Sequence, residues 1–382
     1  MNAPEIFIAW DAMTWTEPKY TKEAINKAGK TLVRTFNDDL EEWKDAEWAE
    51  YDDAIHVINN WRGSHAYPLN TFQMNLRNVS RKFEQEPLIA QRIKRLVSIA
   101  FKLDRFPSMK LSQMQDLGGC RAILKNVRNV KRVARYYVKK SGIKHSLSSI
   151  DDYIDAPKKS GYRGIHLVYR YYSDKKKHIY NGMKIEMQLR SKYQHAWATA
   201  VETVGMFSGQ ALKSSLGSQE WQRFFSLMGS AIAVREGTLP VPSVPVSRRE
   251  LMAELHDYAN RLRVETRLRE YGNAVRSIAT NELNAHFYLL QLDPSYGNLT
   301  ITGFSANELE DANKKYAEAE QMVKANPGTD AVLVSVESIN ALARAYPNYF
   351  ADTRLFTELM IQALEGRSRG IPVSATRALA TS

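Results

Sequence analysis

The sequence predicts an α/β (α+β) protein: a mixed β-sheet flanked by helices, with a small α/β unit and further helices toward the C-terminus. Three observations lead there. Short runs rich in β-branched or aromatic residues, CRAIL (120–124), IHLVYRYY (165–172) and MKIEMQLR (183–190), have glycine or polar turns around them and read as strands. Helix-period segments separate and follow them, among them KNVRNVKRVARYYVKKSG, a basic amphipathic helix ending at Gly142, and HAWATAVETVGMF. Finally, GTLPVPSVPVS (237–247) carries three prolines within six positions and reads as a linker between two units.

The remaining elements follow in order. Residues 20–56 have a helical pattern with Thr21 as N-cap. Residues 67–103 carry apolar positions at helical spacing, Leu76, Val79, Phe83 and Leu88, then Ile93, Leu96, Val97 and Phe101, across a break at Pro87. Beyond the linker, 248–280 reads as a long charged helix. HFYLLQLDPSYGNLTITGF then reads as two strands joined by a Pro/Gly turn. A helix over 306–325, a buried strand AVLVSV and two more helices complete the chain. The expected division is 1–236, 237–247 and 248–382.

Composition narrows the function classes. With 382 residues and 44% apolar content the chain can bury real cores. Its single cysteine, Cys120, excludes an internal disulfide and a cysteine-rich zinc site, fits a reducing compartment, and reads as a buried small hydrophobe. No signal-peptide pattern and no long apolar run is present, so a cytoplasmic protein without membrane contact is expected. The net charge of +11 is unevenly placed. Residues 1–60 hold 13 Asp/Glu against 6 Lys/Arg, whereas residues 76–145 hold 18 Lys/Arg against 4 Asp/Glu. Such a basic block suits nucleotide phosphates or nucleic acid.

Two short patterns are set aside. AGKT (28–31) lacks the glycine a phosphate-binding loop needs, because Ala24 stands there. His256-Asp257 has no histidine at a useful spacing upstream and reads as a surface pair.

Four segments carry chemistry together. In RIKRLVSIAFKLDR, a helix would bring Ser98, Lys102 and Arg105 to one face, with Arg92 and Lys94 about a turn earlier. This is a cationic surface suited to a triphosphate. In QDLGGCRAIL, Asp116 precedes two glycines and a strand. In DAPKKSGYRGIHL, Gly161 frees the backbone, Tyr162 offers a ring to a base, and Lys158, Arg163 and His166 supply donors. In KIEMQLRSKYQHAWA, Glu186, Gln188 and Arg190 alternate along a strand and share a face. Asp116 and Glu186 on neighbouring strands would give two carboxylates for Mg²⁺ in phosphoryl or pyrophosphoryl transfer.

RIKRLVSIAFKL, QDLGGCRAI, DYIDAPKKSGYRGIHL and IEMQLRSKYQHAWA, in this order over about residues 55–235, resemble the successive motifs of the RelA/SpoT synthetase domain. The resemblance implies a mixed sheet flanked by helices and transfer of the β,γ-pyrophosphate of ATP to a ribose hydroxyl. It places Arg92, Lys94, Ser98, Lys102 and Arg121 on ATP, with Arg105 beside them. Asp116 and Glu186 fall on Mg²⁺, Glu186 doubling as base. Tyr162 falls on the acceptor base, and Lys158, Arg163, His166, Gln188 and Arg190 on the acceptor side. VINNWRGSHAYPLNTFQMNLR and QHAWATAVETV resemble a toxic branch that pyrophosphorylates the 3′ CCA end of tRNA. DAVLVSVESINALARAYPNYFADTRLF resembles the antitoxin region of CapRel-like fused toxin–antitoxins of phage defence. That likeness implies a zinc-free pseudo-zinc-finger in the C-terminal region, which shuts the site until a phage structural protein, such as a capsid protein, binds it. The alternative is a GTP/GDP pyrophosphokinase with a regulatory tail.

Overall fold

The computed structural model describes residues 15–36, 44–139, 142–175, 177–207, 219–245, 247–274, 276–280, 285–293, 296, 298–326, 329–335, 345–347, 349–350 and 352–365. Three helices lead in: α1 (Lys22–Phe36), α2 (Asp45–Ser64) and α3 (Ala66–Arg81). Strand β1 (Leu88–Ile93), α4 (Leu96–Arg105), β2 (Gly118–Leu124), α5 (Val127–Lys139), β3 (Ser146–Asp152), β4 (Ile165–Arg170) and β5 (Lys184–Ser191) follow. Then come α6 (Lys192–Phe207), α7 (Gln219–Glu236), α8 (Arg248–Arg261), α9 (Val264–Ala274), β6 (Arg276–Thr280), β7 (Phe287–Asp293), β8 (Asn298–Phe304), α10 (Leu309–Ala325), β9 (Asp330–Ser335) and α11 (Arg354–Leu364).

The expected mixed sheet flanked by helices is present, and it runs through both halves of the chain. Its strand order is β3-β4-β5-β2-β1-β9-β7-β8-β6. β2 and β5 pair in parallel and β1 antiparallel to β2. β9 joins β1 antiparallel through Gln91↔Ser335 and Arg92↔Val334, so the C-terminal strands extend the N-terminal sheet.

Register assigns the two faces. Ala90, Arg121, Gln188 and His166 lie opposite one another, as do Arg92, Gly119, Glu186 and Val168. With a side-chain period of two, these rows share one face. The alternate positions Cys120, Ala122, Ile185, Met187, Leu189, Ile165 and Leu167 form the apolar face. That face is buried under Leu69, Phe72 and Leu76 of α3 and Val130, Val133 and Tyr137 of α5. On the other face, α6 and α7 pack with α8, α9 and α11 around Trp197, Phe224, Phe225 and Phe356.

Three helical readings differ in the structure: the helix expected over 20–56 is α1 and α2, the second starting afresh after Lys44 in extended conformation and running on to Ser64. The helix expected over 67–103 is α3, β1 and α4. Pro87 cannot continue a helix, and LIAQRI finds partners in β2 and β9 that no local pattern encodes. The long helix expected over 248–280 is α8, α9 and β6, interrupted where Arg263 takes φ +49°. β3, SLSSIDD, escapes sequence reading because it is a polar edge strand with both faces largely wet. The Pro-rich stretch is packed down: Val241 is buried and its N–H donates to Ser230 Oγ at 2.9 Å. Of the two final helices, α11 is described and the other falls outside the described residues.

Candidate active site

The polar sheet face and α6–α7 enclose a cleft of about 430 Å³. Arg92, Arg105 and Arg121 line it on one side, and Lys158, Tyr162, His166, Gln188 and Arg190 on the other. Trp197, Glu202 and Phe225 close it from the helical layer. Most of the residues singled out from sequence are thus brought together.

The loop before β4 owes its shape to two interlocked glycines. Gly161 takes φ +92°, and a Cβ there would sit 2.6 Å from the Phe225 carbonyl oxygen. A Cβ on Gly229 would lie 2.6 Å from the Gly161 oxygen, so loop and α7 touch backbone to backbone. Trp197 Nε1 donates to the same Phe225 carbonyl at 2.8 Å, and Ser226 Oγ donates to Lys159 O at 3.0 Å. Trp197, Gly229 and Ser226 were invisible to sequence reasoning, because their role exists only once α6 and α7 stack on this loop.

That scaffold aims a polar chain into the cleft. The Tyr162 hydroxyl lies 2.5 Å from His166 Nε2 and accepts from Arg190 at 2.8 Å. His166 Nδ1 lies 2.8 Å from Glu186 Oε1, and Gln188 donates to Glu186 Oε2 at 2.6 Å. Burial works to lower the His166 pKa, but Tyr162 and Glu186 outweigh it and raise it to about 9. Burial likewise works to raise Tyr162, but Arg190 and His166 bring it down to about 8. Glu186 is held well below the ordinary carboxylate range, because His166 and the Gln188 amide overcome the burial that would raise it. Lys158 stands 4.1 Å from the Tyr153 ring centre and 5.4 Å from that of Tyr162, at the mouth of the cleft.

Asp116 sits between two lysines. Lys94 Nζ donates to Oδ2 at 2.9 Å and Lys102 Nζ to Oδ1 at 2.8 Å. Burial opposes ionisation, but the two ammonium groups hold its pKa below the usual value, against the nearby Glu186 charge. The two carboxylates therefore sense each other across the starts of β2 and β5. Ser98 stands one helical turn before Lys102 and does not line the cleft. Arg163 departs from expectation. It is 2% exposed and donates to Ile154 O at 3.1 Å, to Thr238 Oγ1 at 2.9 Å and to Leu239 O, binding the loop to the Pro-rich stretch. Its position after Gly161-Tyr162 turns it away from the face that His166 shares.

Among the described residues no group of three or more His, Cys, Asp or Glu is placed to hold a metal ion. The oxygens of Asp116 and Glu186 are engaged by Lys102, Lys94, His166 and Gln188, so an ion held by these two carboxylates would share or displace those partners.

The C-terminal half reaches this site directly. Tyr346 lies with its ring centre 4.8 Å from the Arg121 guanidinium carbon, and its hydroxyl donates to Gln91 O at 3.0 Å. Arg121 Nη1 donates to Ala345 O at 3.5 Å. Arg95 pairs with Asp330, and Tyr349 donates to the same carboxylate at 2.9 Å. Burial depresses the Arg121 pKa, and Arg92 and Arg190 push the same way against Tyr346.

Residues 91–206 match the family described as a region found in RelA / SpoT proteins, so the chain carries a RelA/SpoT region across β1 to α6. Among solved structures it is similar to small alarmone synthetase 2 from Bacillus subtilis, with 20% identity, TM-score 0.36, and coverage of 44% of this chain and 86% of that one. It is also similar to a GTP pyrophosphokinase family protein from Streptococcus pneumoniae, with 23% identity, TM-score 0.35, and coverage of 50% and 89%. A third is small alarmone synthetase 1 from Bacillus subtilis bound to its product pppGpp, with 23% identity, TM-score 0.34, and coverage of 44% and 91%. No curated protein matches. No helix among the described residues is long and apolar enough to cross a membrane.

Proposed function

We propose that this chain is an ATP-dependent pyrophosphokinase whose acceptor is the 3′-hydroxyl at the CCA end of tRNA. Its own C-terminal half holds it inactive until a phage structural protein draws that half away. The observation that carries the reading is the pairing of Arg121 with Tyr346: a phosphate-gripping arginine inside the RelA/SpoT region is covered by a ring from the C-terminal half.

In the proposed reaction the acceptor hydroxyl attacks the β-phosphorus of ATP in line. The new O–Pβ bond forms as the bond from Pβ to the α,β-bridging oxygen breaks, AMP leaves with that oxygen, and Glu186 takes the hydroxyl proton. Mg²⁺ bound by Asp116 and Glu186 would neutralise charge on the phosphate oxygens. Arg92, Arg105 and Arg121 grip those oxygens from the arginine wall of the cleft. Lys94 and Lys102 keep Asp116 ionised and add positive charge beside it. The chain from Glu186 through His166 to the Tyr162 hydroxyl fixes the tyrosine ring, which gives the acceptor base a stacking surface once Lys158 moves to a phosphate. Glu186, kept ionised by His166 and the Gln188 amide, is in the form that can accept that proton.

The test uses γ-labelled ATP and Mg²⁺ with the full chain and its Tyr346→Ala variant. One arm receives deacylated tRNA and the other GDP or GTP. Label on tRNA, stronger in the variant, supports both parts of the reading. Label on guanosine nucleotides alone replaces the acceptor, and equal labelling by both proteins removes the inhibitory role of Tyr346.

A further inference from the structure

We propose that the outward face of α5, with the end of α3, is a track for a nucleic-acid backbone that leads to the acceptor side of the cleft. The proposal rests on the RNA acceptor advanced above. The apolar face of α5, with Val130, Val133, Ala134 and Tyr137, is sealed against the sheet. The opposite face exposes Arg128, Arg132, Arg135 and Lys139, spaced i, i+4, i+7 and i+11, a single stripe about 16 Å long at ~1.5 Å per residue. Among the described residues none of these four is paired with a carboxylate.

Folding alone does not account for this face. Like charges three and four residues apart on a helix repel, and Arg128 stands in the first turn, where the helix dipole disfavours a cation. The nearest acid on α3's exit, Glu84, is engaged: it accepts from Lys125 N–H at 2.8 Å and from the Asn129 amide at 3.0 Å, closing the start of α5. One cation of the stripe and a lysine beside it lie against rings. Arg132 lies 4.9 Å from the Phe83 ring centre, and Lys82 lies 4.6 Å from that of Tyr136 and donates to its hydroxyl at 3.0 Å. A row of cations without carboxylate partners suits phosphates at regular spacing.

The row is connected to the chemistry. Lys131, on the flank of the stripe, pairs at 2.5 Å with Asp155, in the same loop that carries Lys158 and Tyr162. α5 lies on the sheet face opposite the cleft, so a backbone laid along it would round the sheet edge beside Asp155 to reach the loop that would hold a terminal nucleotide. A free nucleotide has no second part to reach this face, so the track distinguishes a polynucleotide from a mononucleotide acceptor.

The experiment measures anisotropy of fluorescein-labelled deacylated tRNA with the full chain, between about 50 and 200 mM salt. Compared with wild type are the combined variant Arg128→Glu, Arg132→Glu, Arg135→Glu and a charge-matched control, Arg249→Glu, Arg269→Glu, Lys314→Glu. The α5 variant is expected to bind at least about tenfold more weakly. Its dependence of log K on log salt should be shallower by about 2 to 3, at ~0.7–0.9 per lost phosphate contact. Circular dichroism establishes that the variant is folded, and the Gln triple at the same positions replaces it if it is not. Wild-type-like affinity and slope in the α5 variant, or an equal loss in the control, overturns the track. Transfer of label to tRNA separates the two proposals. Label confined to guanosine nucleotides withdraws the acceptor while the binding data still judge α5, and tRNA labelling undiminished in the α5 variant withdraws the track alone.

Discussion

Glu320 accepts from both terminal nitrogens of Arg62, at 2.7 and 3.0 Å, and from the Leu96 N–H that opens α4, at 2.6 Å. Both side chains are 4% exposed. A carboxylate from the C-terminal half thereby satisfies a buried guanidinium and a helix N-terminus in the half that carries the cleft. Glu320→Ala leaves Arg62 buried without its counter-charge, and such breaks cost about 3–5 kcal/mol. Urea unfolding is expected to show a loss of that size, and a loss below about 1 kcal/mol would mean that Arg62 finds water or another partner.

Tyr346→Ala is expected to strengthen ATP binding by up to about thirtyfold, since a desolvated cation–π contact contributes about 0.5–2 kcal/mol. Tyr346→Phe keeps the ring and loses only the bond to Gln91 O, so its ATP affinity should stay near wild type. Calorimetric titration with a non-hydrolysable ATP analogue separates the two. Equal affinity in the alanine variant would show that the ring does not compete with the nucleotide.

Asp116→Asn removes the charge that binds Lys94 and Lys102, and Glu186→Gln the one that binds His166. Each is expected to lower AMP release by about 10²–10³, the scale for losing one well-placed electrostatic group. Measurement in a Tyr346→Ala background keeps basal activity visible. Activity retained in both would move the chemistry away from these two carboxylates.

Stability should depend on pH through His166 and Tyr162. The folded state keeps His166 protonated to about pH 9 against an ordinary value of 6.5, so its contribution is complete below 6.5 and declines as pH rises toward 9. Tyr162 ionises near 8 rather than 10, so above 8 it adds stability as pH rises and offsets the histidine. The expected net result is a fall between about pH 6.5 and 8, then a plateau, with an amplitude of about 1–2 kcal/mol. The thermal midpoint against pH tests this, and His166→Gln should flatten the fall.

Gly229→Ala places a methyl group 2.6 Å from the Gly161 oxygen. Backbone must move, at a cost of about 1–3 kcal/mol for overpacking, and the loop holding Tyr162 moves with it. Loss of stability together with a raised KM for the acceptor is the expected signature. A silent substitution would show that α7 yields without disturbing the loop.

Much of the site was legible in sequence because its residues lie on local patterns. Glu186, Gln188 and Arg190 alternate on one strand, Lys102 and Arg105 share a helix end, and Tyr162 follows the glycine that frees its loop. The pairing of β1 was not legible, because LIAQRI reads equally as a piece of helix until β2 and β9 offer it hydrogen bonds. Arg163 was misassigned for a similar reason: its sequence neighbours are cleft residues, but its guanidinium is fixed by Ile154, Thr238 and Leu239.

By itself the sequence determined the mixed α/β class, the basic block, and the set of carboxylates, cations and ring that the fold gathers around one cleft, because residue type and short-range period encode these. Only the tertiary structure decided that β9 continues the sheet from β1, that Glu320 closes over Arg62 and α4, and that Tyr346 covers Arg121. Those contacts join residues more than two hundred positions apart, and they exist only where burial and strand pairing bring the two halves into one sheet.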